Sequence, residues 1–310
     1  MIGDAIVSVK GLSKSYGSTK AVSNLDLEIQ AGQRFGLIGP DGAGKTTLLR
    51  ILCGLILPDG GQVRVLEFDP VKELNRIKDG VGYMPQRFSL YPDLTVAENL
   101  RFFADAYRVT KTDRLRSTER LMQFSRLEPF KDRRAAALSG GMKQKLALSC
   151  TLIHTPRLLI LDEPTTGVDP VSRGEFWDIL NELRGQGVTI LVTTPYMDEA
   201  ARCDRVALMH EGRILARGTP ADVIAGFPDR IVRIYTSRPH AAAEILKAGD
   251  RFPSVQLFGD RVHVVVKDVW HSIENMRALL TQSGHSFGSI EEGAPELEDV
   301  FVSLLSQSKV

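Results

Sequence analysis

Gly39-Pro40-Asp41-Gly42-Ala43-Gly44-Lys45-Thr46, followed by a second threonine, Thr47, decides how the rest of the chain is read. Two glycines stand five residues apart, and the second is followed by lysine and threonine, the spacing of a phosphate-binding loop. Residues 34–38 ahead of it read as a short buried strand, and residues 47–52 behind it read as a helix. Strand, glycine loop and helix is the context the motif requires. The glycines let backbone N–H groups turn inward around phosphate oxygens, and the helix N-terminus adds its positive dipole end. Lys45 then reaches the β and γ phosphates, and the Thr46 hydroxyl ligates Mg²⁺. The motif implies a nucleoside triphosphate site.

Composition narrows the class. A chain of 310 residues suggests two domains, and 43% hydrophobic with 25% charged residues is ordinary for a globular protein. Net charge is +1, so no strong field points to nucleic acid. The richest apolar stretch, residues 51–57, is far too short for a membrane span. Met1-Ile2-Gly3-Asp4 lacks the basic and apolar regions of a signal peptide. Cys53, Cys150 and Cys203 are odd in number and set among apolar residues, as expected of reduced core thiols in the cytosol.

Working outward from the loop, residues 6–12 alternate apolar and polar, with a turn at Gly17 that takes in Tyr16. Tyr16 reads either as a turn aromatic or as a platform for a nucleotide base. A second strand is expected over residues 24–29, a strong turn over residues 58–62 and a strand over residues 63–66. Residues 81–86 read as a short strand ending at Gln86, which is either a loop residue or an uncharged amide for γ-phosphate or its metal. Thr95-Val96-Ala97-Glu98 is a capping box. Leu100, Phe103, Ala104 and Tyr107 follow at helical spacing, and Leu115, Leu121, Met122 and Phe124 suggest another helix. Ser139-Gly140-Gly141 opens a further helix, either as a plain cap or as a second anion site.

Leu158-Leu159-Ile160-Leu161-Asp162-Glu163 is an apolar strand ending in two carboxylates. That is where α/β folds bind ligands, at a parallel strand's C-terminal end. Asp162 is the candidate Mg²⁺ ligand, and Glu163 the candidate for orienting or deprotonating the attacking water. A turn through Asp169-Pro170 leads to a helix, and a buried strand over residues 188–192 ends in Thr193-Thr194-Pro195.

With the glycine loop, the helical insert, Leu138-Ser139-Gly140-Gly141 and the Asp162-Glu163 strand end in that order, residues 5–217 resemble the nucleotide-binding subunit of an ABC transporter. The resemblance implies an α/β P-loop NTPase of the ABC type over residues 1–217. Its core sheet would be mostly parallel, with an antiparallel β subdomain and a helical subdomain over about residues 88–150. It implies ATP and Mg²⁺ as ligands, with Gly39, Pro40, Asp41, Gly42, Ala43, Gly44, Lys45, Thr46 and Thr47 cradling the phosphates. Tyr16 would stack on adenine. Gln86 would touch γ-phosphate and metal and link them to the membrane partner. Ser139, Gly140 and Gly141 would complete the ATP site of an opposing subunit, and Asp169 would be a dimer contact.

Asp41, Met142 and Val168 are mild departures from the family pattern. Pro195 is a serious one. The family's switch histidine, a γ-phosphate contact, should follow Thr193-Thr194, and proline offers neither a side-chain donor nor a backbone N–H.

Residues 218–310 read as a separate small α+β domain with strands over 230–235, 255–258 and 262–266. Helices are expected over 241–248, 273–280 and 296–305, with a weak strand near Phe287, an order that suggests a split βαβ module. Leu297-Glu298-Asp299-Val300-Phe301 resembles the tail of nucleotide-binding subunits of ABC-2-type exporters, including antibiotic and multidrug efflux systems. The leading expectation is therefore the ATPase subunit of an exporter, on the cytoplasmic face of the membrane, working with a second such subunit and a separate permease. Pro195 supports an alternative, a weakly hydrolysing partner in an asymmetric heterodimer. A non-transport ABC ATPase is the third reading, and it lacks the second phosphate loop or long heptads expected of one.

Overall fold

Alternating apolar and polar residues make a half-buried antiparallel pair at the start of the chain, β1 (Ala5–Tyr16) and β2 (Thr19–Gln30). The computed structural model describes residues 5–87, 90–248 and 251–307. Residues 1–4, read above for a leader, and residue 88, the lower bound of the helical subdomain, lie outside them. Val7, Val9 and Leu12 turn inward beside Leu25, Leu27 and Ile29. Tyr16 is the last residue of β1, opposite Thr19, so the turn is Gly17-Ser18 and does not include the tyrosine.

After β3 (Arg34–Ile38) and α1 (Lys45–Leu52), β4 (Gly60–Val65) joins the first pair in the order β2-β1-β4. Gly60 and Gly61, expected in a turn, belong to this strand. Gly60 pairs with Ser13, and a Cβ on Gly61 would stand 2.6 Å from the Gly11 carbonyl oxygen, so the sheet closes there only because the side chain is missing.

The helical insert follows α2 (Leu74–Lys78) and β5 (Val81–Met84), and holds α3 (Val96–Ala106), α4 (Lys111–Phe124) and α5 (Gly140–Leu152). The capping box forms in full: the Glu98 amide donates to Thr95 Oγ1 at 3.2 Å, and the Thr95 amide donates to Glu98 Oε2 at 2.8 Å. One turn on, fully buried Asn99 donates to the Tyr91, Leu94 and Thr95 carbonyls and accepts from the Tyr91 amide. That single side chain ties down the loop downstream of Gln86. Leu115, expected on the apolar face of α4, is 73% exposed; Ser117, Leu121 and Met122 make the buried face instead.

The main sheet is completed by β6 (Leu158–Asp162), α6 (Pro170–Gly185), β7 (Thr189–Thr194), α7 (Met197–Ala200), β8 (Arg205–His210) and β9 (Arg213–Gly218). Its order is β5-β6-β7-β3-β8-β9, parallel except for β9. Both faces are covered, one of them by α1 together with the β2-β1-β4 sheet, which is why Leu158 to Leu161 run as four consecutive buried aliphatics, each contributing about 1.5–3 kcal/mol of burial. Because β3 lies beside β7 and β7 beside β6, the glycine loop, Thr193-Thr194 and Asp162 emerge from neighbouring strands at one edge of the sheet.

The chain divides into two compact units, residues 1–219 and 220–310. The second holds α8 (Pro220–Ala225), β10 (Arg230–Tyr235), α9 (Pro239–Lys247), β11 (Ser254–Phe258), β12 (Arg261–Val266), α10 (Val269–Gln282), β13 (Ile290–Gly293) and α11 (Leu297–Gln307). Its antiparallel sheet runs β11-β12-β10-β13, the strand order of a split βαβ module. The last strand lies at 290–293 and not at Phe287. Phe287 packs against the core, while the Gly288 amide is held by the Tyr235 carbonyl at 2.7 Å, which delays the ladder until Ile290 meets Ile234. Among the described residues, no helix is long and apolar enough to cross a membrane.

Candidate functional site

The glycine loop is shaped by what surrounds it. Gly44 has φ +103°, and a Cβ there would stand 2.1 Å from the Ala21 carbonyl oxygen. At Gly39 a Cβ would stand 2.2 Å from the Met209 carbonyl oxygen. Both positions admit glycine alone, because the backbones of β2 and β8 press against the loop from outside. Asp41 and Gly42 sit at its exposed tip. The fold thus orients Lys45, the first residue of α1, into the protein.

Lys45 is 4% exposed. Its ammonium donates to the Gly39 carbonyl at 2.8 Å and the Pro40 carbonyl at 3.0 Å, and lies 3.0 Å from Glu163 Oε1. Glu163 reaches it from a left-handed backbone, φ +48°, at the residue just after β6. This conformation is costly for a residue with a Cβ, and here it comes with a side chain turned to the Lys45 ammonium. The other carboxylate oxygen of Glu163 accepts from Gln86 Nε2 at 3.0 Å and from Thr166 Oγ1 at 3.4 Å.

Asp162 is 1% exposed. Its Oδ1 accepts from Thr193 Oγ1 at 2.8 Å, and the same threonine oxygen accepts the Glu163 amide at 2.9 Å. Asp162 Oδ2 is buried with no hydrogen-bond partner. Burial pushes the Asp162 carboxyl above its usual range, opposed by hydrogen bonds from Thr193 and Thr46. The folded chain therefore holds a proton on Asp162 at pH values where the unfolded chain has lost it, so this group's contribution to stability falls as pH rises through the folded value. In the nucleotide-free chain, the melting temperature of the wild type should fall with rising pH relative to Asp162→Asn, from the ordinary aspartate range upward. Parallel melting curves for the two proteins would refute this.

Lys45, Thr46, Asp162, Glu163 and Gln86 thus form one cluster. Tyr16 is half-exposed at the end of β1, its ring 5.6 Å from the Lys14 ammonium. Pro195 follows the end of β7, half-buried. Ser139, Gly140 and Gly141 belong to a second group. Ser139 caps α5, its Oγ accepting the Met142 amide at 3.3 Å, and Gly141 packs against Ser172 in the first turn of α6. Asp169 caps α6 through the Ser172 amide at 2.9 Å, a bond that holds its carboxyl below the usual range. Sequence reasoning missed Thr193, the side chain that links both carboxylates. A threonine closing an otherwise aliphatic buried strand was the available signal.

The family model described as ABC transporter matches residues 22–166. The chain is 36% identical to the Nod factor export ATP-binding protein I of Rhizobium etli, over 96% of this chain and 92% of that protein. The chain belongs to the ABC transporter ATP-binding proteins. It is also 42% identical to the probable multidrug ABC transporter ATP-binding protein YbhF of Escherichia coli K12, over 98% of this chain. The chain spans about half the length, 53%, of that relative. Among solved structures it resembles the dimeric post-hydrolysis form of the ATP-binding cassette MJ0796 bound to ADP and Pi. The TM-score is 0.63 and the identity 27%, over 69% of this chain and 98% of that one. As a member of the ABC family, the protein is an ATP-binding α/β cassette of the P-loop type.

Proposed function

We propose that this chain is the ATP-hydrolysing subunit of an ABC exporter, working as a head-to-tail pair of nucleotide-binding subunits beneath a separate membrane permease. The observation that carries the reading is the convergence of Lys45, Asp162, Glu163 and Gln86 at the phosphate loop. The nucleotide-binding domain takes residues 1–219 and the accessory domain residues 220–310, two residues beyond the boundary expected from sequence, because Gly218 pairs with Val206 in the main sheet. Phosphates sit in the 39–47 loop, with the base of ATP on Tyr16. Glu163 accepts the proton of the attacking water. Ser139, Gly140, Gly141 and Asp169 serve the opposing subunit's site.

Mg²⁺ fits the residues present, because Asp162 Oδ2 is a buried carboxyl oxygen without a hydrogen-bond partner. Thr46, Asp162 and Gln86 would hold the ion, partly through water, and when bound it neutralises charge on the phosphates. The relatives' names, multidrug transport and Nod factor export, support the export role. The permease docks on the helical insert beside the Gln86 loop, where the Tyr91 and Phe102 rings pack at a tilt with centroids 4.4 Å apart and remain 43% and 41% exposed. On this reading the chain works on the cytoplasmic face of the membrane.

Pro195 favours a second reading, a weakly hydrolysing member of an unequal pair. ATP turnover by the purified chain, set against Glu163→Gln, separates the two. Under the leading reading, wild-type turnover exceeds that control, and Pro195→His raises kcat about tenfold or more, the worth of one charge-assisted hydrogen bond. Wild-type turnover equal to the control, with ATP bound, favours the unequal pair.

A further inference from the structure

Glu199 is a carboxylate with 1% exposure in the short helix α7, and the roles given to the site above do not use it. It accepts hydrogen bonds from three segments at once. Thr165 Oγ1, in the turn after Glu163, lies 2.7 Å from Oε1. Thr194 Oγ1, the residue before Pro195, lies 2.6 Å from Oε2. Arg173 Nε, in the first turns of α6, lies 3.2 Å from Oε1. A buried carboxylate persists only when its lone pairs are filled in this way. Arg173 also covers the Tyr196 ring at 4.5 Å and reaches exposed Asp198 at 2.8 Å. The Pro195 loop, the turn after the acidic strand and the head of α6 are thereby clamped to one another.

The head of α6 bears on a third place. Ser172, held by Asp169, is the residue a Cβ on Gly141 would strike at 2.4 Å. The start of α5, with Ser139 and Gly140, is therefore seated on the same turn of α6 that Arg173 anchors. Further along, Glu175 of α6 pairs with Lys145 of α5. Packed contact of this kind transmits a displacement of one element to the other.

We propose that Glu199 is a positioning residue, which sets the start of α5 relative to the Asp162-Glu163 strand end through Thr165, Arg173 and Ser172. Rearrangement at a chain's own γ-phosphate then moves the serine–glycine face it presents to the opposing site. This rests on the proposed function, in which that face completes a second ATP site.

The test uses the full chain as wild type, Glu163→Gln, Glu199→Gln, Thr165→Val and Asp198→Asn. Binding of MgATP and steady-state turnover are measured for each. Glu199→Gln and Thr165→Val should bind MgATP within threefold of wild type with KM little changed, while kcat falls at least tenfold. Asp198→Asn removes only the exposed arm and should stay within twofold. If kcat in both Glu199→Gln and Thr165→Val stays within twofold of wild type, the proposal is overturned. If Glu199→Gln does not fold, Thr165→Val decides alone, since valine keeps the shape and removes one donor.

Wild-type turnover at the Glu163→Gln level would count against the hydrolytic reading and not against the clamp. The clamp is then read from amide exchange of the MgATP-saturated chain. Thr165→Val should speed exchange over residues 139–146 at least threefold, and unchanged exchange there overturns the proposal.

Discussion

Glu163→Gln is expected to lower kcat for ATP by about 10²–10⁴-fold, the range of a positioned general base, while leaving MgATP binding intact. The substitution is close to isosteric, and its surroundings can accommodate an amide. Lys45 donates to one oxygen, and the Gln86 and Thr166 side chains adjoin the other position. The left-handed backbone at 163 is unchanged, because the Glu163 amide remains bonded to Thr193 Oγ1. What disappears is the capacity to take a proton. Steady-state turnover and size-exclusion chromatography with MgATP check both halves of the expectation. The variant should accumulate as an ATP-bound dimer. Turnover within tenfold of wild type would remove Glu163 from the role of base.

Lys45→Met should weaken ATP binding at least a hundredfold and also destabilise the nucleotide-free protein. The second effect follows from burial. Lys45 and Glu163 are 4% and 7% exposed, and removing one partner of a buried ion pair costs about 3–5 kcal/mol because the other charge is left uncompensated. The Gly39 and Pro40 carbonyls lose their donor as well. The melting temperature should fall, and MgATP should no longer raise it. Lys45→Met combined with Glu163→Gln should regain part of the stability and none of the binding, since neither buried charge is then unpaired. A single variant that melts like wild type would show that the pair contributes nothing to the fold.

Much of this architecture was legible because its determinants are local. The glycine loop, the capping box at Thr95 and Glu98, and the four aliphatics ahead of Asp162 each carry their instructions within a few residues. The strand alternation of residues 220–310 likewise led to the right module. Features set by distant partners were not legible. Whether Leu115 or Ser117 faces inward on α4 depends on what packs there, and α4 has weak apolar periodicity of its own. Gly60 and Gly61 look like a turn until the backbone of residues 11–13 is laid beside them. In the site, the order of Asp162 and Glu163 was readable, but the left-handed bend that separates their side chains was not. Glu199 resembles any helical surface glutamate in sequence, and only Thr165 and Arg173, 34 and 26 residues away, reveal it as interior.

The lysine shared between a carboxylate and the loop carbonyls bears on the timing of catalysis. Lys45 already has an anionic partner within 3.0 Å, so a phosphate oxygen that takes the ammonium takes it from Glu163. Arrival of the substrate and release of the base then become one event. Under the proposed function, in which Glu163 meets the attacking water, that side chain stays engaged with Lys45 until phosphate is in place. The order of steps is written into a competition between two anions for one charge.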